Sequence, residues 1–443
     1  MVCIPVKRFV CIVVAAFIII PLSASAAEVR EYRLENGLKV LVIEEHKAPV
    51  ATFQIWYRTG SRNDPAGKTG LSHLLEHMMF RGTRDCSSAD FARIIQMNSG
   101  EDNAYTTDDY TVYYQVFPSE KVFLSIGLEA DRMRNLLLSP DNVEAEKHVV
   151  MEERRLEHED DPHVALFDEV RAIAFKVHPY RRPVIGWMSD LKTIERGDLA
   201  SYYRTWYAPE NAFVVVAGDV RPDEIAGRIE KAFASVPSGA PRIPVGTDEP
   251  IQEGARRVSL KREAETQYVL RAYHTPVFPD EDYFALDILQ YILAGGKSSR
   301  LYRSLVYEKK VALEADAEYI GLSRDSSLFL IDAKAAPGTD IRKLETALGA
   351  EIEIIRTVPL SEYEITKARN QIEADYVTGK DSVETLAERY AVFEMLGDWR
   401  HANRYLERIR QVTPGDIMKA AERYFTDDNS ITGILIPREN GQP

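Results

Sequence analysis

Apolar and polar positions change period in a regular way along this chain. The run EYRLENGLKVLVIEE alternates, breaks at Asn36-Gly37 and alternates again, which predicts a β-hairpin. VATFQIWYRTG predicts a third strand with Phe53, Ile55 and Tyr57 on one face. Gly60 to Gly70 is a polar loop. TGLSHLLEHMMFRGT then switches to helical spacing, with Leu71, Leu74, Leu75, Met78 and Met79 as the apolar body. A second helix is expected over Ala89 to Asn98, then strands around Ala104 to Thr106 and Thr111 to Val116. Pro118 and Ser119 open a helix to about Leu137. Pro140 breaks it, and Asp141 or Asn142 caps the next, which reaches about Glu159. Asp160-Asp161-Pro162 interrupts before a helix to about Ala174, and His178 to Asp190 is a loop. A helix from about Asp198 to Tyr207, a strand from Phe213 to Ala217 and a helix from Pro222 to Phe233 follow.

Val236 to Pro250 is rich in Pro and Gly, lacks apolar periodicity and reads as a linker, placed at residues 237–250. Beyond it the plan repeats. Strands are expected near Arg257 to Leu260 and Gln267 to Tyr273, with helices over Asp280 to Leu293 and Ser298 to Glu308. Two strands, three or four helices and a last strand from Ile431 to Ile436 complete the chain. The repeat aligns without a gap. GDLASYYRTWYAPENAFVVVAG starts at Gly197 and GDIMKAAERYFTDDNSITGILI at Gly415, an offset of 218 (415 minus 197). Trp206-Tyr207 then falls on Tyr424-Phe425, and Asn211 on Asn429. The expected fold is α+β: two homologous α/β-sandwich halves, residues 27–236 and 251–443, each an antiparallel-rich sheet with helices on one face.

A length of 443 residues suits two to three domains, and 45% hydrophobic with 28% charged residues is an ordinary globular composition. The formal charge of −14 argues against a nucleic-acid-binding face. It keeps the protein soluble or biases a cavity toward basic peptides. Lys7-Arg8, the apolar run Phe9 to Leu22 and the A-x-A of Ala24-Ser25-Ala26 predict a cleaved signal peptide, residues 1–26. The mature chain would start near Ala27 and keep no stable membrane anchor. The expected location is the periplasm, with full secretion as the alternative. Cys3 and Cys11 leave with the signal, so Cys86 remains alone and forms no internal disulfide.

Within the predicted helix, HLLEH places His73 and His77 one turn apart on one face, with Glu76 beside them. Histidine is scarce, 9 in 443 residues, so the cluster stands out. Two neutral imidazoles and a carboxylate make a partial site for a divalent metal, zinc first, and H-x-x-E-H is the inverted zinc-protease order. A catalytic zinc needs a third protein ligand. The acidic helix after Asn142 offers Glu144, Glu146, Glu152, Glu153, Glu157 and Glu159. Glu146 and Glu153 are seven apart and return to one face within about 20°. Val149 and Val150 make that helix partly buried, and a buried face with two carboxylates needs a cation or strong donors. Spacing alone does not choose the ligand, and His148 competes with the glutamates.

HLLEH, the E-x6-E of EKHVVMEE, DNAYTTDDYT and HPYRRPVIGW together resemble the pitrilysin/insulinase metallopeptidases, the inverzincins. The chain is most similar to their short two-domain members related to mitochondrial processing peptidase, over almost all of its mature length. The resemblance implies a zinc endopeptidase holding one Zn2+ on His73, His77 and Glu153. Glu146 would orient a ligand histidine, and Glu76 would be the general base, taking a proton from the attacking water and passing it to the leaving amine. Asn103, Ala104 and Tyr105 would lie on a sheet edge that pairs with an extended peptide. The two halves would enclose a chamber, so substrates would be short or unfolded.

The resemblance also exposes an absence. Self-sufficient members carry an Arg and a Tyr in a second-half segment like L-R-x-K-x-x-x-x-Y, and these stabilise the oxyanion. In the matching segment SLVYEKKVAL, those positions are Val306 and Leu313, and neither can donate a side-chain hydrogen bond. Arg300, Arg303 and Tyr307 are near, with the wrong spacing. The expected partner is a homologous non-catalytic subunit supplying Arg and Tyr, in a heterodimer with a single zinc site. A homodimer or monomer using other donors is the alternative. The alternative function is a non-catalytic peptide-binding or scaffold subunit of the same fold.

Overall fold

The computed structural model describes residues 28–241, 245–246, 248–379 and 382–438. The expected signal segment, 1–26, with Cys3 and Cys11, lies outside the described residues. Strands β1 (Val29–Arg33) and β2 (Lys39–Glu44) form the expected hairpin, and Gly37 takes the left-handed φ of 89° that the turn needs. Then come β3 (Val50–Tyr57), α1 (Leu71–Met79), α2 (Ser88–Met97), β4 (Glu101–Thr106) and β5 (Thr111–Pro118). Helices α3 (Phe123–Asn135), α4 (Pro140–Arg154), α5 (Pro162–Ala174), α6 (Met188–Leu191) and α7 (Arg196–Trp206) precede β6 (Ala212–Gly218) and α8 (Pro222–Phe233). The strands form one six-stranded sheet in the order β1-β2-β6-β3-β5-β4, antiparallel except for β2 with β6.

Beyond the linker lie β7 (Arg256–Arg262), β8 (Tyr268–Thr275), α9 (Asp282–Ala294), β9 (Ala312–Tyr319) and β10 (Ser327–Ala335). Helices α10 (Ile341–Thr357), α11 (Glu362–Thr378), α12 (Val383–Met395), α13 (His401–Gln411) and α14 (Pro414–Tyr424) lead into β11 (Ser430–Pro437). The second sheet runs β7-β11-β8-β10-β9, antiparallel except for β7 with β11. The fold is α+β, built from two like halves. The repeat extends to single hydrogen bonds: Asn211 Nδ2 donates to Trp206 O at 2.8 Å, and Asn429 Nδ2 to Tyr424 O at 2.7 Å.

Three expectations change. Ser139 caps α4 by accepting from Asn142 N, not Asp141 or Asn142, and Pro140 is the first helical residue rather than a breaker. A proline there loses no hydrogen bond, because the first-turn N–H groups have no intrahelical partner. The second half has five late helices, not three or four, because Gly397 at φ 127° ends α12 and lets α13 start separately. The stretch expected as a helix to Glu308 closes in a π-helical turn, Tyr302–Glu308.

The sandwich halves exchange helices. Each half lays most of its own helices on one sheet face, and one helix from the other half covers the opposite face. Leu166, Val170 and Ala174 of α5 pack on Leu270, Ala272, Leu328 and Ile431 of the second sheet. Gly433 of β11 makes room for this, since a Cβ there would lie 2.5 Å from Val170 Cγ2. In return α12 lies across β3 and β6. Gln54 Nε2 donates to Glu384 O at 3.1 Å, while Arg58 and Lys39 reach buried Glu394 at 2.9 and 2.7 Å. This is why seven of the eight β3 residues are buried, although the sequence alternates as for a one-sided strand. No helix among the described residues is long and apolar enough to cross a membrane.

Candidate metal centre and active site

The site starts with α1. Gly70 enters the helix at φ 87°, and Asp64 accepts from Gly70 N at 2.8 Å and Ser72 N at 2.9 Å, satisfying two helix-start amides. Burial pushes the Asp64 carboxyl up to about 7, against the pull of those amides. Leu71, Leu74, Leu75, Met78 and Met79 fix the helix body in the core of the first half. His73, Glu76 and His77 share the remaining stripe, and the imidazole centroids are 4.8 Å apart. Burial holds His73 down to about 4, so its ring is neutral at physiological pH.

Helix α4 supplies the carboxylates. Glu153 Oε1 is 3.6 Å from His73 Nε2, and Glu153 Oε2 is 3.3 Å from His77 Nε2. Burial works against the charge of Glu153, but His77 and His73 prevail and lower its pKa. Two turns earlier, Glu146 Oε2 is 3.3 Å from His77 Nδ1, and its other oxygen pairs with Arg81. The remaining candidates turn away. Glu152 is exposed and pairs with Arg155, while His148 lies 3.4 Å from Glu144 with its side chain 69% exposed. Spacing had left these alternatives open; the helix rotation separates them.

The three converging side chains fit a zinc ion. Each offers a ligand atom within 4.8 Å of the other two. Tetrahedral zinc with bonds of about 2.0–2.2 Å has ligand–ligand edges of about 3.3–3.6 Å, and the two distances from Glu153 to the imidazoles, 3.6 and 3.3 Å, match it. Among the described residues the buried His73 Nδ1 has no hydrogen-bond partner, while Nε2 faces Glu153.

Glu76 lies beside this triad, and its Oε2 accepts a 2.6 Å hydrogen bond from Thr106 Oγ1 on β4. Burial raises its pKa, while Thr106 and His77 oppose the rise. Among the described residues β4 pairs with β5 alone, which leaves it a sheet edge next to α1. Asn103 is exposed there, and its Oδ1 accepts from Ala104 N at 2.9 Å. Strand alternation turns the Tyr105 ring to the face opposite Thr106, where its hydroxyl donates to Glu388 of α12 at 2.8 Å.

The other two motifs meet away from the triad. Asp109 accepts from Arg62 at 2.9 Å, Tyr180 Oη at 2.7 Å and Arg324 N at 2.9 Å. Asp325 of the second half is paired with Arg62 and lies 3.3 Å from His178 Nε2. DNAYTTDDYT and HPYRRPVIGW therefore clamp a second-half loop against the hairpin that holds Thr106. The sequence reading missed Thr106, Arg81 and Asp64. Arg81, four residues after His77 and just past the end of α1, was the one with a readable signal. In the second half Leu305 is buried, Val306 is half-buried and Leu313 is 43% exposed.

Comparison with known proteins places this geometry in context. The family described as "Insulinase (Peptidase family M16)" matches residues 39–187, and "Peptidase M16 inactive domain" matches residues 193–372. The chain is 30% identical over 408 residues to the zinc protease PqqE of Helicobacter pylori, covering 91% of this chain and 92% of that protein. It is 31% identical over 402 residues to an uncharacterized zinc protease of Mycobacterium leprae, covering 88% of each. A crystal structure of a protease from Helicobacter pylori superposes with a TM-score of 0.90 at 29% identity, covering 93% of this chain and 100% of that one. The periplasmic protease PqqL of Escherichia coli shares the fold, with a TM-score of 0.77 at 18% identity over 93% of this chain and 48% of that one.

Proposed function

The chain belongs to the insulinase family of peptidases, M16, and on that premise we propose that it is a zinc-dependent endopeptidase of short or unfolded peptides. The observation that carries this reading is the convergence of His73, His77 and Glu153 with Glu76 held beside them. Zinc on the three ligands would supply a Lewis acid that polarises a peptide carbonyl and lowers the pKa of water to about 7. Glu146 accepts the Nδ1–H of His77, which fixes the tautomer that leaves Nε2 free as a ligand. Glu76 takes a proton from the attacking water and delivers it to the leaving amine. The description "inactive domain" covers residues 193–372, a stretch that has no H-x-x-E-H.

The free edge of β4 favours an extended peptide, bound through main-chain hydrogen bonds that tolerate many sequences, with Asn103 and Ala104 at the contact. A sheet edge accepts a strand, not a folded domain. The signal-like residues 1–26 support export to the periplasm. Val306 and Leu313 leave this chain without the oxyanion donors, which supports a homologous partner subunit that provides Arg and Tyr. Loss of one such donor costs about 10²–10³ in turnover. The test is turnover of an unstructured quenched peptide by the purified chain, alone and with a homologous partner from the same cell. Weak activity alone that rises with the partner is expected. Full activity alone, unchanged by any partner, contradicts the heterodimer, and native-site cleavage of tightly folded proteins contradicts the peptide preference.

A further inference from the structure

The general base has two oxygens, and the fold treats them differently. Thr106 has one hydroxyl proton, and it points to Glu76 Oε2 across 2.6 Å. The hydroxyl is itself located from behind. Thr111 Oγ1 packs 3.3 Å away and donates its own proton to Thr59 O at 3.1 Å, so it does not compete for the proton that Glu76 receives. Thr111 is fully buried, on the strand paired residue for residue with β4, where Thr106 faces Thr111. The donor is therefore fixed by a sheet, not by a loop. Glu76 Oε1 takes no hydrogen bond among the described residues, so it is the oxygen left for water.

We propose that Thr106 is the positioning residue of the base: its hydroxyl holds Glu76 Oε2 and directs the abstracted proton to Oε1. This rests on the peptidase reading above. The proton leaves water for Oε1 and goes from Oε1 to the departing amine, while Oε2 stays engaged by Thr106 throughout. Thr106 is two residues beyond Ala104 on the edge strand, so one strand fixes both the peptide register and the base. A carboxylate without this tether swings about its last torsion, and a misplaced catalytic group costs about 10²-fold.

The test compares Thr106→Val, Thr106→Ser and wild type for peptide turnover, zinc content and crystal structure. Val keeps the shape and the strand preference but removes the donor. Thr106→Val is expected to lower kcat by about 10- to 100-fold, with KM and bound zinc unchanged. Thr106→Ser restores kcat to within about threefold. Combined with Glu76→Gln, Thr106→Val has no further effect, because the two act as one unit. In the crystal, the Glu76 carboxylate rotates in the Val variant and keeps its place in the Ser variant. An unmoved carboxylate in Thr106→Val overturns the proposal even if no peptide is turned over. Inactivity of the wild type with zinc bound counts instead against the peptidase reading. Wild-type kcat in the Val variant, or a Ser variant as slow as Val, also overturns the positioning role.

Discussion

Gly433→Ala tests the helix exchange at the point where it is tightest. A Cβ at 433 would lie 2.5 Å from Val170 Cγ2 and 3.2 Å from Leu166 Cγ and Cδ1. Ordinary carbon contacts are about 3.5–4.0 Å, so α5 and β11 must separate by about 1 Å or Val170 must leave its rotamer. Overpacking of this kind costs about 1–3 kcal/mol. Val170 is fully buried, and Val170→Ala alone should cost about 1–3 kcal/mol through lost contacts and the cavity left behind. The double variant is the informative one. Removing Val170 Cγ2 opens the space the new Cβ needs, so the two losses should fall short of additivity by about 1–2 kcal/mol. Urea denaturation of the purified chain reads all three. A neutral Gly433→Ala, or losses that simply add, would refute the packing of a first-half helix on the second sheet.

Two further outcomes follow from the site and its surroundings. Glu146→Gln should weaken zinc binding by about 10- to 100-fold in a competitive chelator titration, because His77 Nδ1 and Arg81 lose their carboxylate; unchanged affinity would remove Glu146 from the centre. Glu364 of α11, in the second half, carries a pH dependence of its own. Burial alone would raise its pKa, but Arg300 Nε at 2.6 Å and the Ser361 hydroxyl and amide more than offset this, holding it at about 2 against an ordinary 4.5. A lowered carboxyl stabilises above its unfolded pKa and loses that stability as pH falls through the folded value, so the window runs from about 4.5 to about 2. The urea midpoint of Glu364→Gln should therefore trail wild type at about pH 6, by less at about pH 3, and converge with it toward about pH 2; a constant gap would contradict the ion pair.

How much of this was legible in the residues depends on range. The hairpin at Asn36-Gly37, the helix body around HLLEH and the repeat from Gly197 to Gly415 are local patterns, and each names its element. Asn211 and Asn429 even keep the same hydrogen bond. Glu146 and Glu153 could be paired by helical spacing, but the choice against Glu152 and His148 needed the rotation of α4 against α1, which no local pattern contains. The partner of the Tyr105 ring was hidden for a similar reason. Alternation says that its neighbours face the other way, but not that α12 of the distant half supplies Glu388 on its side. The exchange of α5 and α12 is the least visible feature, since each helix looks amphipathic whichever sheet it covers. Thr106 was hidden because a strand threonine is ordinary until a carboxylate from another element meets it.

The central claim is that three ligands hold zinc and Glu76 acts as base without holding it. Metal analysis and quenched-peptide turnover, measured together on wild type, Glu76→Gln and Glu153→Gln, test it most directly. Wild type and Glu76→Gln should each bind about one zinc per chain, with turnover lower by several orders of magnitude in Glu76→Gln. Glu153→Gln should lose both metal and activity. Loss of zinc from Glu76→Gln, retained turnover in it, or full zinc in Glu153→Gln would contradict the account.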